Sequence, residues 1–414
     1  MLRRRLIGSA LASAAAIAAP AAAGRPLSSL RVDRRRLVDA AGRTFAVKGI
    51  NLGNWLVPEG YMFKFKTARS PRRIYAAFER VLGAAGARAF WARWRDAYVD
   101  AADIRFIAAA GFNVVRVPFH YASLVTPGAP GAPPRFEGEG YARLDALVAW
   151  ARAAGLRVIL DLHAAPGGQT GFNHDDGSGY PLMFYVPAHR ALTISIWRRL
   201  AARYRGEPAM LGFDLLNEPV APYHDVSRLN HKLEAFYRDA TAAIRAEDPD
   251  RIVLLAGGQW STNLEMFGRP FAPNLVYTYH AFWSSPRRDS IQRHIDFSLR
   301  HDVPLLIGET GEWTDDWHAA FRKLHERLGI GWCFWTYKNL DTPSTVASIR
   351  RPDGWADVVA IADGAAPAEG AALTRARAAI DAYLADVPLA RNTINAGYLR
   401  ALGMRVPSDT VAPR

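Results

Sequence analysis

The stretch that most constrains this chain is Gly212-Phe213-Asp214-Leu215-Leu216-Asn217-Glu218-Pro219, an apolar run that ends in an amide, a carboxylic acid and a proline. A short apolar run bounded by a breaker reads as a buried strand, and Pro219 stops it as the polar pair emerges. A second run, Pro304-Leu305-Leu306-Ile307-Gly308-Glu309, delivers another glutamate in the same way. In sheets that alternate strands with helices, the C-terminal strand ends are where ligands bind.

The same unit recurs along the chain. Strands are predicted over 45–53, 113–118, 157–163, 210–217, 252–257, 275–280, 305–309 and 331–338. Helical spacing falls between them at 74–110 (interrupted at Gly83 and Gly86), 141–154, 191–204, 229–246, 291–300 and 317–328, with a last helix over 371–384. Eight strands interleaved with helices predict an α/β fold, a closed (β/α)8 TIM barrel in one domain with enlarged loops, over residues 24–384. An open doubly wound sheet would want a glycine-rich phosphate loop, and Ala164-Ala165-Pro166-Gly167-Gly168-Gln169 lacks the dinucleotide spacing. Residues 385–414 show little periodicity and read as a C-terminal tail that can be mobile.

Composition matters at three points. The net charge is +13, but only six of the 52 basic residues are lysine, and no dense basic block follows the N-terminus, so no nucleic-acid partner is expected. Residues 1–23 read as a signal peptide: Arg3-Arg4-Arg5-Leu6-Ile7 opens an apolar stretch too short to span a membrane, and Ala21-Ala22-Ala23 offers a cleavage site. Export through the twin-arginine or the Sec route is expected, to the periplasm or the extracellular space. Cys333, the single cysteine, lies in an apolar strand and reads as a core residue.

The strand ends carry Asn51, Arg116, His163, Asn217 with Glu218, His280, Glu309 and Trp335. Two carboxylic acids on separate strand ends suit glycosidic bond cleavage, where one protonates the leaving oxygen while the other attacks or activates water. The loop 167–179, with His174, Asp175 and Asp176, reads as a solvated loop rather than a metal site. Trp260, Trp283, Trp313, Trp317 and Trp355 fall in or near top-face loops, where they could stack on sugars or pack in the core.

Four stretches carry a family resemblance: Gly49-Ile50-Asn51-Leu52-Gly53-Asn54-Trp55-Leu56, Asp161 to Gln169, Leu215 to Pro219, and Gly331-Trp332-Cys333-Phe334-Trp335-Thr336. With them the chain resembles glycoside hydrolase family 5, the cellulase family A group of retaining β-glycosidases, and within it the exo-β-1,3-glucanase-like branch. The resemblance implies that Glu218 is the acid/base and Glu309 the nucleophile. It implies that Glu59, Arg116, His163, Asn217, His280 and Trp335 shape the sugar subsite. The expected partner is an oligo- or polysaccharide, with no cofactor and no metal. Arg116 would help keep Glu309 ionised, and the negative Glu309 would raise the pKa of Glu218.

The chain departs from the family at Phe282, where relatives usually have a tyrosine that contacts the nucleophile; either Tyr279, Trp283 or another group replaces that contact, or activity is altered. Glu312, three residues past Glu309, is a competing candidate nucleophile, and Glu309 is preferred because it directly ends the apolar run. The chain is thus read as an exported retaining β-glycosidase acting on β-1,3- or β-1,4-linked glucan. A glycosidase or transglycosylase for another β-linked glycan, such as an exopolysaccharide, and a non-catalytic carbohydrate-binding barrel are the alternatives.

Overall fold

The structure is a computed structural model that describes residues 27–129 and 132–407. The expected signal peptide lies outside the described residues. Eight parallel strands close into a barrel: β1 (Lys48–Asn51), β2 (Val114–His120), β3 (Arg157–Ala164), β4 (Met210–Asp214), β5 (Ile252–Ala256), β6 (Leu275–His280), β7 (Leu305–Glu309) and β8 (Gly331–Phe334). Each pairs with its neighbour in sequence, and β8 returns to β1 through Trp332↔Lys48, Cys333↔Gly49 and Phe334↔Ile50. The strands read as apolar runs because helices cover the outside of the barrel.

The helices form where sequence and surroundings agree. The segment read as one interrupted helix is two: Pro71–Tyr98, which starts on a proline and kinks at Gly83 with a φ of 72°, and Ala101–Ala110. Asp100 separates them as the N-cap of the second, with a reciprocal bond from its own N–H to Asp103. Helix Val226–Glu247 buries Leu229, Leu233, Phe236, Tyr237, Ala240 and Ile244 along one stripe against the barrel, and the Tyr237 hydroxyl donates to the Ala256 carbonyl at the end of β5.

Below the barrel an antiparallel hairpin, Leu30–Asp33 with Arg36–Asp39, presses Leu37 onto an interior cluster that includes Val114, Ile159, Leu254, Val276, Leu306 and Cys333. Several strand boundaries differ from the sequence reading, most of all the last. The last barrel strand ends at Phe334, and Lys338–Leu340 belongs instead to a three-stranded sheet with Ala347–Ile349 and Thr393–Ile394. The segment beyond Leu384 is also built into the fold: after Thr393–Ile394 comes helix Ala396–Ala401, with Tyr398 and Leu399 fully buried. A two-residue strand and a six-residue helix are too short to show a period, so the sequence offered no signal for them.

Candidate active site

Side chains alternate along a strand, so Val114 and Arg116, Ile159, Asp161 and His163, and Cys333 and Trp335 share the inward face of their strands. The barrel interior therefore changes from an apolar base to a charged layer. Arg116 is its centre, in the middle of β2 rather than near its end, because the strand runs on to His120. It is fully buried and uses its whole fork: Nε donates to Asp214 (2.9 Å), Nη1 to Asn51 (3.0 Å) and Glu309 (2.5 Å), and Nη2 to Asn217 (3.0 Å), with Asp161 3.0 Å from Nη2. Burial works against the guanidinium charge, but Asp161, Asp214 and Glu309 together hold its pKa above the ordinary value. Burial pushes Asp161 and Asp214 up to about 7, with Arg116 opposing the rise.

Asp161 in turn orients His163, whose Nδ1 lies 2.8 Å from its carboxylate. The other ring nitrogen of His163 faces the Asn217 amide at 3.4 Å and Glu59 at 3.7 Å. Burial lowers the pKa of His163 to about 4, so the ring is neutral at neutral pH. Glu59 is itself buried, and burial followed by the negative field of Glu309 raises its pKa well above the ordinary value.

Glu218 lies four residues beyond the end of β4, at a φ of 42°. The β3 loop fixes this turn: Gln169 Nε2 donates to the carbonyls of His163 and Asn217 (both 2.8 Å), and Thr170 Oγ1 donates to the Glu218 carbonyl (2.6 Å). The Glu218 carboxyl meets His280 Nδ1 at 2.9 Å and His174 Nε2 at 3.5 Å. His280 Nδ1 is also 3.6 Å from Glu309, so one neutral ring, its pKa lowered to about 3 by burial, sits against both acids. Oxygens of Glu218 and Glu309 lie within 4.8 Å of one another. Burial raises the pKa of both; His174 and Arg116 oppose the rise at Glu218, and His280, Arg116 and His163 oppose it at Glu309. The direct guanidinium bond goes to Glu309 alone, which makes Glu309 the more readily ionised of the two. The rise at Glu218 is thus chiefly a burial effect rather than the charge effect expected from Glu309.

Above these groups opens a cavity of about 840 Å³, lined by Glu59, His163, Asn217, Glu218, His280, Glu309 and Trp335 among others, with Arg116 beneath its floor. Trp335 is almost fully buried and stacks parallel to His163, ring centres 5.8 Å apart and planes 13° apart. Gly53 makes room for its indole: a Cβ there would stand 2.6 Å from the ring. Trp260, Trp283 and Phe282 also line the cavity. Trp317 and Trp355 are core residues, their indoles donating to the carbonyls of Ser284 and Phe63, whereas Trp313 is exposed. Neither candidate substitute for the missing tyrosine turns to Glu309: Tyr279 bonds His325, and Trp283 donates to the Glu312 carbonyl.

Several residues at the site were not foreseen. The loop 167–179 is solvated only in part: Phe172, Ser178 and Gly179 are exposed, but the buried Asp175 carboxylate accepts from the N–H groups of Thr170, Gly171 and Gly177, and the knot turns the buried His174 onto Glu218. Asp161 and Asp214 were hidden inside apolar strands, where their inward register was the only signal. Tyr61 joins through its hydroxyl, which accepts from Trp335 Nε1 at 2.6 Å. Two sets, Asp161 with His163 and Glu309, and Glu218 with His280 and Glu309, bring possible metal-ligand atoms within 4.8 Å of one another. Both share Glu309, whose carboxylate already holds the Arg116 guanidinium.

Comparisons with known proteins agree with this architecture. Residues 77–341 match the family model described as cellulase, glycosyl hydrolase family 5. A probable glucan 1,3-beta-glucosidase A of Aspergillus clavatus is 30% identical over 303 residues, covering 70% of each chain. Its counterpart in Emericella nidulans is 31% identical over 301 residues, 69% of this chain and 71% of that one. A beta-xylosidase of Phanerodontia chrysosporium is 29% identical over 245 residues, and the match spans 58% of this chain and about half (49%) of that protein. The fold is shared with an endogalactoceramidase (TM-score 0.59, 20% identity, 91% of this chain and 84% of that one) and with rutinosidase from Aspergillus niger (TM-score 0.57, 18% identity, 73% and 92%). On these grounds the chain belongs to glycosyl hydrolase family 5, the cellulase family.

Proposed function

We propose that this protein is an exported hydrolase of β-linked glucan that works by double displacement, with Glu309 as nucleophile and Glu218 as acid/base. The observation that carries the reading is the pair of acids with oxygens within 4.8 Å, of which only Glu309 takes the Arg116 guanidinium. Carboxyl groups this close suit direct attack on the sugar, whereas an inverting pair leaves space for an intervening water at about 6.5–9.5 Å.

In the first step the Glu309 carboxylate attacks the anomeric carbon, and the glycosidic oxygen leaves with the proton held by Glu218. In the second, Glu218 takes a proton from water as that water displaces Glu309, and the enzyme returns to its starting state. Asn217 is held for the sugar by Arg116 on its oxygen and His163 on its nitrogen side. Trp335 offers the ring a flat apolar face. Neutral histidines around the acids leave the oxocarbenium-like transition state facing net negative charge, which favours it over the uncharged ground state. The names of the glucan 1,3-beta-glucosidase relatives support a β-1,3-linked glucan as substrate.

Product analysis on β-1,3-, β-1,4- and mixed-linkage glucans and on aryl β-glycosides, with proton NMR of the first-formed anomer, tests the reading. Release of the β-anomer by the wild type, and its loss in Glu309→Gln, is the expected result. An α-anomer as first product would refute the double displacement.

A further inference from the structure

A second cavity, of about 500 Å³, lies across the loop 167–179 from the first and takes no part in the mechanism above. The loop is the wall between them: Phe172, Asn173 and His174 line the active-site cavity, and Asp176 lines the second. The other walls come from helix Pro71–Tyr98, with Arg72 and Tyr75, from His120 and Tyr121 where β2 ends, and from the start of helix Gly140–Ala154. Sites that hold small ligands have volumes of about 300–1,000 Å³, so this one is large enough.

One wall sets an unpaired donor beside an unpaired acceptor. His120 is only 8% exposed. Its Nδ1 accepts the Ala122 N–H at 3.1 Å, and burial lowers its pKa to about 4, so the neutral ring carries its proton on Nε2. That N–H has no hydrogen-bond partner among the described residues and stops 4.0 Å from Asp176 Oδ2, too far for a bond. Asp176 is fixed where it is: its Oδ1 accepts the Arg72 N–H at 3.0 Å, and its φ of 101° is one that a residue with a side chain keeps only where its surroundings impose it. A hydroxyl, which accepts and donates at once, would fill the gap. The rest of the cavity suits a ligand with several hydroxyls and no charge. The hydroxyls of Tyr75 and Tyr121, which also line it, have no hydrogen-bond partner among the described residues, and Tyr121 stacks on His120 with ring centres 5.0 Å apart. Arg72, Arg95 and Arg143 are matched by Glu79, Glu139 and Asp176; Arg95 is already paired with Glu139 at 2.6 Å and Arg143 with Asp96 at 2.5 Å. A charged ligand would find no net field to select it.

We propose that this cavity is a second saccharide-binding site, in which a sugar hydroxyl bridges His120 Nε2 and Asp176 Oδ2 and a short stretch of glycan is held apart from the catalytic acids. The inference rests on the proposed function only for the choice of sugars and for its kinetic arm.

Calorimetric titration tests it, on the full protein carrying Glu309→Gln to prevent turnover, with trisaccharides of β-1,3-linked glucose, β-1,4-linked glucose and β-1,4-linked xylose. Ala76→Trp, at an exposed helix position that lines the second cavity, fills it and should lower the number of molecules bound per chain by one for at least one of the three. Asp176→Asn keeps an acceptor for the Arg72 N–H but turns the acceptor facing His120 into a donor; it should weaken the second site about tenfold, the size of one hydrogen bond to a charged group. With Glu309 intact, neither variant should change kcat or KM on an aryl β-glucoside, and both should slow hydrolysis of an insoluble β-glucan. A stoichiometry that Ala76→Trp leaves unchanged with every trisaccharide, as when water alone fills the gap, or an affinity that Asp176→Asn leaves unchanged, would overturn the proposal. Absence of turnover in the wild type would overturn the functional reading instead, and the titrations would still decide this one.

Discussion

Replacing Arg116 by methionine, which keeps much of the side-chain volume, removes the only cation from a buried group of three carboxylates, Asp161, Asp214 and Glu309. Breaking a buried ion pair by deleting one partner costs about 3–5 kcal/mol, and that loss is expected at pH 7. Its pH dependence follows from the two aspartates. In the folded wild type burial pushes both up to about 7, against about 3.9 for an unperturbed aspartate. An acid whose folded pKa is raised binds its proton more tightly when folded, so native stability is greatest below the unfolded pKa and falls as pH rises from about 4 towards 7. Without Arg116 the folded values move higher, and the decline steepens and extends past pH 7. At pH 4 the acids are protonated in both proteins, and the remaining difference is the lost hydrogen bonds, about 1–2 kcal/mol. Urea unfolding of wild type and Arg116→Met at pH 4, 5.5 and 7 measures this directly. A stability difference that stays constant or shrinks between pH 4 and 7 would refute the assignment of Arg116 as the counter-charge of the barrel interior.

Three further outcomes are expected. Glu218→Gln should lower kcat on a poorly leaving glycoside by about 10²–10⁴-fold while sparing the first step on an activated aryl glycoside, whereas Glu309→Gln should abolish both, as burst kinetics will reveal. Gly53→Ala puts a Cβ 2.6 Å from the Trp335 ring, so a stability loss of about 1–3 kcal/mol and a raised KM are expected from thermal melts and steady-state kinetics. Cys333 is fully buried inside the barrel, and burial raises its thiol to about 12; a thiol reagent should leave the native protein unlabelled at pH 8 and label it once in denaturant.

The barrel was legible because each strand is an apolar run with its own stop signal, and the polar residues at those stops converge once the sheet closes. The sequence order of His163, Asn217, Glu218, His280, Glu309 and Trp335 translates into positions around one cavity, with Asn51 buried beneath it against Arg116. What the sequence withheld are features set by distant partners. Asp214 reads as a blemish in an apolar strand until β2 places Arg116 beside it. His174 sits in a glycine-rich loop whose burial depends on Asp175 gathering three backbone N–H groups. Lys338 looks like the end of a barrel strand, yet it is fully buried against Asp103, 2.6 Å away, in a separate small sheet. Such pairings are written in three-dimensional proximity and leave no period behind.

The late helix Ala396–Ala401 has a consequence for how the site comes into being. The Tyr398 hydroxyl donates to the Trp335 carbonyl, and Asn395 ties the same region through Thr345 and Ser348. A growing chain that has already delivered all eight barrel strands still lacks the brace behind its sugar platform until residue 398 has been made. Completion of the binding surface thus depends on residues made after the last barrel strand, and a chain cut at Leu384 is expected to lose this brace together with the core packing of Val387, Tyr398, Leu399 and Leu402.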